Sequence, residues 1–480
     1  MAAKERQNYS SKLERLARNF HRDAGIFWVD CVQRRGAIAT AGQGTELAVP
    51  VASAQAERFG AARRRTMEIA APLTPEDMMV QSLPEASPAK WHLAHTAWFF
   101  ESFILREFLP GYRVFNPDFA WLFNSYYQSF AAFPDKRLRA SFSRPSLSEI
   151  LGFREHVDKG IERLLGGDAD PEALRRIELG LNHEEQHQEL LLTDILHAFY
   201  TNPLRPVYRT GAERIGARAV QSLRFVEFAG GLREAGFAGG GFSFDNERPR
   251  RRVWLEPFAL ADRLVTCAEY AEFIADGGYR RAELWLSDGW KAVEANGWRA
   301  PLYWDSAGAS DGREWRVFTL RGELGLDEVA DAPVSHVSLY EADAYARWAG
   351  ARLATEFEWE TVAESQSVEG NLLDAWELRA LPAEENVQEK VSGKSGLDTR
   401  ERPLQMYGDC WEWTGSAYLP YPGFEPLPGS LGEYNGKFMS GQMVLRGGSC
   451  CTPAAHIRAT YRNFFAPETR WQFSGIRLAK

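Results

Sequence analysis

The 480-residue sequence predicts two architectures in succession, a bundle of long helices and then a loop-rich mixed α+β domain. Three observations carry this. The chain is too long for one ordinary core. Its first two hundred residues hold four long helical patterns separated by loops. Twelve of its sixteen tryptophans fall beyond residue 223, where helical stretches shorten and glycine becomes frequent. The expected division is an extension over 1–60, a helical bundle over 61–201, a linker over 202–222 and a second domain over 223–480.

The elements follow in order. Lys4 to Arg22 has weak helical periodicity, and Ala37 to Ala56 is rich in small residues and reads as loose. Helical pattern begins near Arg63. Thr74-Pro75-Glu76-Asp77 is a helix-start signal, with threonine as N-cap and proline at the first position. Ser87-Pro88 repeats the device before an apolar helix from Trp91 to Phe108. Leu147 to Leu165 forms another helix, and Asp170-Pro171-Glu172 opens one running to about Tyr200. Beyond the Asn202-Pro203 break, helices are expected at Cys267–Asp276, Tyr340–Ala349 and Glu356–Ser365.

Histidine placement is the main chemical signal. His183 and His187 lie in Asn182-His183-Glu184-Glu185-Gln186-His187-Gln188-Glu189, and His95 lies in Trp91-His92-Leu93-Ala94-His95. Residues i and i+4 share one helix face, so two imidazoles there can grip one ion. A third from a neighbouring helix completes a facial triad, the kind of site built between helices of a bundle. Imidazole suits iron, copper, zinc and nickel, and three protein ligands leave positions open for substrates.

Composition narrows the classes. Net charge is −9 with both signs interspersed, which argues against nucleic acid or an anionic membrane as partner. Five cysteines, Cys31, Cys267, Cys410, Cys450 and Cys451, form no CxxC pair and no even disulfide framework, so a reducing, cytoplasmic setting is expected. No stretch reads as a signal peptide or as an apolar run of ~18 residues. Glycine runs at Gly239-Gly240-Gly241 and Gly447-Gly448 lack the strand–loop–helix setting of a phosphate loop. Oligomeric state is not legible.

The second half resembles the formylglycine-generating-enzyme-like domain, also called the sulfatase-modifying-factor domain, an elaborated C-type-lectin fold. The resemblance rests on Phe244-Asp245-Asn246-Glu247-Arg248-Pro249, Val265-Thr266, Val337-Ser338-Leu339-Tyr340-Glu341-Ala342, Arg352-Leu353-Ala354-Thr355-Glu356-Phe357-Glu358-Trp359-Glu360, Gly408-Asp409-Cys410-Trp411-Glu412-Trp413-Thr414, Arg446-Gly447-Gly448-Ser449 and Gly475-Ile476-Arg477-Leu478-Ala479. The first half resembles a DinB-like four-helix bundle. The two together resemble the ergothioneine-biosynthesis sulfoxide synthases, over about residues 65–480.

That resemblance implies a non-haem Fe(II), O2-dependent enzyme that joins a sulfur or selenium donor to C2 of the imidazole of hercynine (N-α-trimethylhistidine). It implies His95, His183 and His187 as iron ligands. Gln186 resembles a residue contacting the hercynine imidazole, and Asn463 one lining the hercynine pocket. Tyr126 and Tyr127 resemble a tyrosine pair of which one, Tyr127 by preference, serves as acid. Phe464, Phe465 and the Trp411/Trp413 region are aromatic walls for the quaternary ammonium. His92 is read as a neighbour of the ligands, Glu189 as orienting a ligand or solvated, and His197, His336 and His456 as structural. Cys450 and Cys451 are read as small core residues.

The sequence departs from the γ-glutamylcysteine-using branch. Phe465 and Thr469 stand where that branch has Asp and Arg, and Gln128 to Pro134 lacks the Gly-Pro-Arg-His run of the cysteine-using branch. A donor smaller than γ-glutamylcysteine or different from it is expected, cysteine or the selenosugar of the related selenoneine synthases. Readings of another class are a non-catalytic lectin-like binding protein with a structural metal and a thiol-dependent metal transferase.

Overall fold

A computed structural model describes residues 52–211, 221–306, 315–383 and 402–480. The weak helix expected at Lys4–Arg22, most of the expected 1–60 extension, Cys31 and much of the 202–222 linker lie outside these.

Four long helices form the first body. They are α1 (Ala52–Ala70), α2 (Ala89–Phe100), α3 (Leu147–Leu165) and α4 (Pro171–Thr201). Helix α1 begins well before Arg63, so the boundary expected at residue 61 falls inside it and Ala52 to Ala56 is helical. Helix α2 runs on through one π-turn, Glu101–Leu105, into Arg106–Phe108. Ser146 and Glu149 form a reciprocal capping box at the start of α3, and the Asp170 side chain caps α4 ahead of Pro171. The Thr74-Pro75 signal opens only a 3₁₀ turn, Asp77–Met79. There the Asp77 carboxylate accepts from the Thr74 N–H and hydroxyl, satisfying the cap without a following helix.

Close approach of α2 and α4 depends on Gly180. A Cβ there would lie 2.6 Å from the Phe100 ring. Behind α4, Glu184 is fully buried and accepts from Arg63, Arg154 and Thr66, at 2.9, 3.0 and 2.7 Å. Burial alone would raise its pKa, but the two guanidinium groups outweigh it and hold the carboxylate down to about 2. This buried lattice ties α1, α3 and α4 and fixes the rotation of α4 about its axis.

The second body has short strands and long connections. One sheet has strand order β1 (Phe225–Phe228), β4 (Phe258–Ala261), β13 (Leu478–Ala479), β8 (Arg352–Leu353). Another runs β11 (Asn463–Phe465), β10 (Met443–Arg446), β9 (Trp411–Ala417), β12 (Ser474–Gly475). A hairpin of β2 (Gly231–Ala235) and β3 (Arg251–Leu255) and a meander of β5 (Trp304–Ser306), β6 (Trp315–Thr319) and β7 (Gly322–Gly325) complete it. Helices α5 (Cys267–Ala275), α7 (Leu339–Trp348) and α8 (Glu356–Ala363) match expectation within a residue or two, while α6 (Ser287–Asn296) was not expected.

Many motif residues of this half are internal bracing. Glu356 accepts from Arg446 and Arg462 at 2.9 and 2.8 Å, and Glu412 accepts from Arg477 and the Trp359 indole at 2.7 and 2.9 Å. All these side chains are buried. Irregular backbone needs such partners because it leaves polar groups that no sheet or helix satisfies.

Candidate metal centre

The α2–α4 contact brings His95, His183 and His187 together, with one nitrogen from each ring within 4.8 Å of the others. Hydrogen bonds fix which nitrogens are free. The His95 Nδ1–H donates to the Phe123 carbonyl at 2.6 Å, leaving Nε2 bare. His92 lies beside the cluster, and its Nε2–H donates to Asp194 at 3.0 Å. Its Nδ1 must then accept, at 2.9 Å, from the His187 Nδ1–H, which leaves His187 Nε2 bare. The Asp194 carboxylate in turn accepts from the Ser87 N–H.

Aromatic rings hold the imidazoles in place. His95 lies between Trp91 and Trp98, stacked at 4.4 and 5.3 Å. His183 stacks on Phe99 at 4.4 Å. Burial keeps all three imidazoles neutral: His183 is pushed down to about 3, and His95 and His187 well below the usual range.

These residues fit a divalent transition metal. His95 Nε2 and His183 Nε2 face each other at 3.1 Å, and the buried His183 Nδ1 has no partner. Neutral imidazoles of which two, His95 and His187, have the bare nitrogen fixed by a bond at the other, and the third is held by its stack on Phe99, are a donor set such an ion can use.

The second body closes over this cluster. Gln186 accepts from the Tyr434 hydroxyl and donates to the Tyr461 hydroxyl at 2.5 Å. Tyr434 also lies edge-on to His183 at 5.8 Å. Tyr461 is 3.0 Å from His456 Nε2, whose Nδ1 meets Asn182 at 3.2 Å. His456, expected to be merely structural, therefore sits two hydrogen bonds from Gln186. A cavity of about 620 Å³ borders this layer, lined by Asn182, Phe242, Phe244, Leu431, Ile457 and Arg458 among others.

The other predicted residues divide. Tyr126 and Tyr127 stack at 4.6 Å, and Tyr127 packs on Trp98 and Phe103. From Tyr126 a line of rings leads through Phe438 to Phe464, which stacks on Tyr418 at 4.1 Å. Asn463 is half-buried, and its side chain accepts from the N–H of Phe464. Phe465 packs on Trp471 instead, since adjacent strand residues point to opposite faces.

Trp413 is not a wall of the site. It is 1% exposed and donates to the Val337 carbonyl from the inner strand β9. Trp411 reaches the bundle instead, donating to Glu189 at 2.8 Å. Glu189 also accepts from Ser449 and Thr452, at 2.5 and 2.6 Å, so it is neither solvated nor bonded to a ligand but fastens the two bodies. Cys450 and Cys451 are fully buried core residues, as expected.

Sequence reasoning missed Tyr434, Tyr461 and Asp194. No spacing rule joins them to the histidines. Only the Gln186 position beside His187 pointed toward the layer they help form.

Comparison with known proteins gives the same two parts. Residues 58–191 match the DinB superfamily model, and residues 212–480 match the sulfatase-modifying factor enzyme 1-like domain. The chain is 31% identical to a hercynine oxygenase of Mycolicibacterium smegmatis, over 88% of its own length and 98% of that protein. It is likewise 31% identical to a hercynine oxygenase of Mycolicibacterium thermoresistibile, over 91% and 96%. Half of the chain is 27% identical to ergothioneine biosynthesis protein 1 of Schizosaccharomyces pombe, covering 28% of that protein.

Proposed function

We propose, for a chain that belongs to the hercynine oxygenase family, an Fe(II)- and O2-dependent enzyme that forms a carbon–chalcogen bond at imidazole C2 of hercynine. The observation that carries it is the convergence of three neutral imidazoles beneath Gln186. His95, His183 and His187 would hold the iron. A ferrous ion there would supply a redox centre with open positions for O2 and both organic substrates.

The residues of the chain do the rest. Gln186, held from both ends of its amide by Tyr434 and Tyr461, presents a fixed dipole beside the His187 ligand and orients the hercynine imidazole. Asn463 contributes to the hercynine pocket. Phe464 with Tyr418 and Phe438 supplies aromatic faces for the trimethylammonium, which cannot donate a hydrogen bond. Holding both substrates in one site converts an unfavourable encounter into an intramolecular step. Tyr127 stays protonated because burial, then its tyrosine neighbours, push its pKa well up, so it holds a proton that only a strongly basic acceptor can take. For a thiol donor the balance closes without another reductant. The imidazole C–H and the thiol S–H are lost, one oxygen atom ends on sulfur and the other leaves as water.

The donor lacks a γ-glutamyl group. Phe465 packs on Trp471 and the Thr469 hydroxyl donates to the Ala466 carbonyl, so these positions offer no charge pair for a glutamyl head. Cysteine and a selenosugar remain.

The test is one aerobic reaction of Fe(II)-loaded protein with hercynine, cysteine, γ-glutamylcysteine and a selenosugar, read by mass spectrometry. A hercynine sulfoxide adduct of cysteine or a selenium adduct is expected and names the donor. No hercynine adduct of any kind would sink the proposal. His187→Ala should fail to load iron, and normal iron content with full activity would end the triad assignment.

A further inference from the structure

The described residues include seven buried arginines, and all but one meet a carboxylate. Arg63 and Arg154 pair with Glu184, Arg263 with Glu269, Arg446 and Arg462 with Glu356, and Arg477 with Glu412. Arg139 is 7% exposed and, among the described residues, has no carboxylate within ion-pair distance. An unpaired buried cation is costly, so the fold does not keep it for stability.

Its surroundings say what it does. The guanidinium carbon lies over Trp91, 3.5 Å from the ring centre, and Trp91 stacks on His95. Its Nη1 donates to the Ser87 hydroxyl at 2.7 Å. The Ser87 N–H donates to Asp194, Asp194 accepts from His92, and His92 accepts from His187. One side chain therefore stands behind two of the three imidazoles, by a stack on one side and a hydrogen-bond chain on the other. The titratable groups that interact with it are Lys136, Asp194, His92, His95 and His187, and burial lowers its own pKa only to about 9, so it stays charged at neutral pH.

We infer that Arg139 is a positioning residue of the three-histidine centre: it braces the outer partners of His95 and His187 together and keeps a fixed positive charge one aromatic ring removed from His95. This rests on the metal reading above. A thiolate or selenolate brought to the centre gains from that charge, while a neutral ligand does not.

Cobalt(II) serves as a spectroscopic stand-in for iron, and azide as the probe anion. Arg139→Met should keep or raise the thermal midpoint, because an apolar side chain replaces an unpaired buried cation. It should bind cobalt, show an altered ligand-field spectrum and bind azide about tenfold more weakly. Arg139→Lys should restore azide binding, since charge is kept, but not the spectrum, since the guanidinium over the Trp91 ring is lost. Wild-type azide affinity and spectrum in Arg139→Met would overturn the inference, as would a fall in stability with both unchanged. If Arg139→Met does not fold, a wild-type spectrum in Arg139→Lys overturns it alone. Absence of stoichiometric cobalt binding by the wild-type protein, matched by the His187→Ala variant, would end the metal reading and this inference with it. Normal cobalt binding with unaffected variants removes only Arg139.

Discussion

Tyr127 keeps a fully buried hydroxyl with no partner at hydrogen-bond distance among the described residues. An orphaned hydroxyl in a core costs about 1–3 kcal/mol, so removing it should not harm the fold. Tyr127→Phe is expected to unfold at the same temperature or higher while shifting product from the hercynine adduct toward oxygenated donor. An unchanged product ratio in both single Tyr→Phe variants, at 126 and 127, would remove this pair from the chemistry. Tyr434 then becomes the hydroxyl to test, because it touches both Gln186 and the edge of His183. At this scale the three histidines that cluster were legible and their hydrogen-bond partners were not. The spacing of His183 and His187 is a property of any helix, but the contact of Asp194 with His92 exists only because α2 and α4 cross where they do. Trp413 was misplaced for the same reason. Strand position alone does not say whether an indole faces a site or a core.

Helix α4 supplies two of the three clustered histidines and helix α2 the third, so the proposed site is only as well defined as their contact. Gly180 permits that contact, and Gly180→Ala would drive a methyl into the Phe100 ring. The expected cost is about 1–3 kcal/mol, typical of overpacking a core. Metal affinity should fall with it, because His95 moves relative to His183 and His187. A destabilised protein with unchanged metal affinity would show that the histidines adjust independently of helix spacing. Element boundaries were legible where the signal is local and chemical. The Ser146–Glu149 box and Asp170-Pro171 mark true helix starts because capping needs only neighbouring residues. Thr74-Pro75 shows the limit, since the same cap chemistry closes a single turn when no apolar helical face follows it. Helix α6 was missed because its buried residues are few, Gly289 and Val293, and its pattern is correspondingly faint.

Across the whole molecule, the proposed function needs the second body held over the bundle, and Glu189 is one fastening between them. It receives Trp411, Ser449 and Thr452 at once, so Glu189→Ala leaves three donors short of a partner. We expect a loss of several kcal/mol, following from about 1–3 kcal/mol for each donor left unsatisfied. We also expect a raised KM for hercynine with iron content preserved, since no metal ligand is touched. Equal loss of iron and of substrate affinity would mean that Glu189 acts on the ligands after all. The second body has its own acid-sensitive brace in Glu356. Burial alone would raise its pKa, but Arg462 and Arg446 outweigh that and hold it below the usual carboxylate value. A lowered folded-state pKa contributes stability that is present above the unfolded value and lost as pH falls beneath it. Glu356→Gln should therefore be less stable than wild type at neutral pH, with the gap in thermal midpoint narrowing as pH drops below about 4.5. A gap that stays constant down to pH 3 would mean that the two arginines do not favour the ionised form. The motif that made this half recognisable in sequence is thus largely the set of buried charges that lets irregular backbone hold one shape over the histidines.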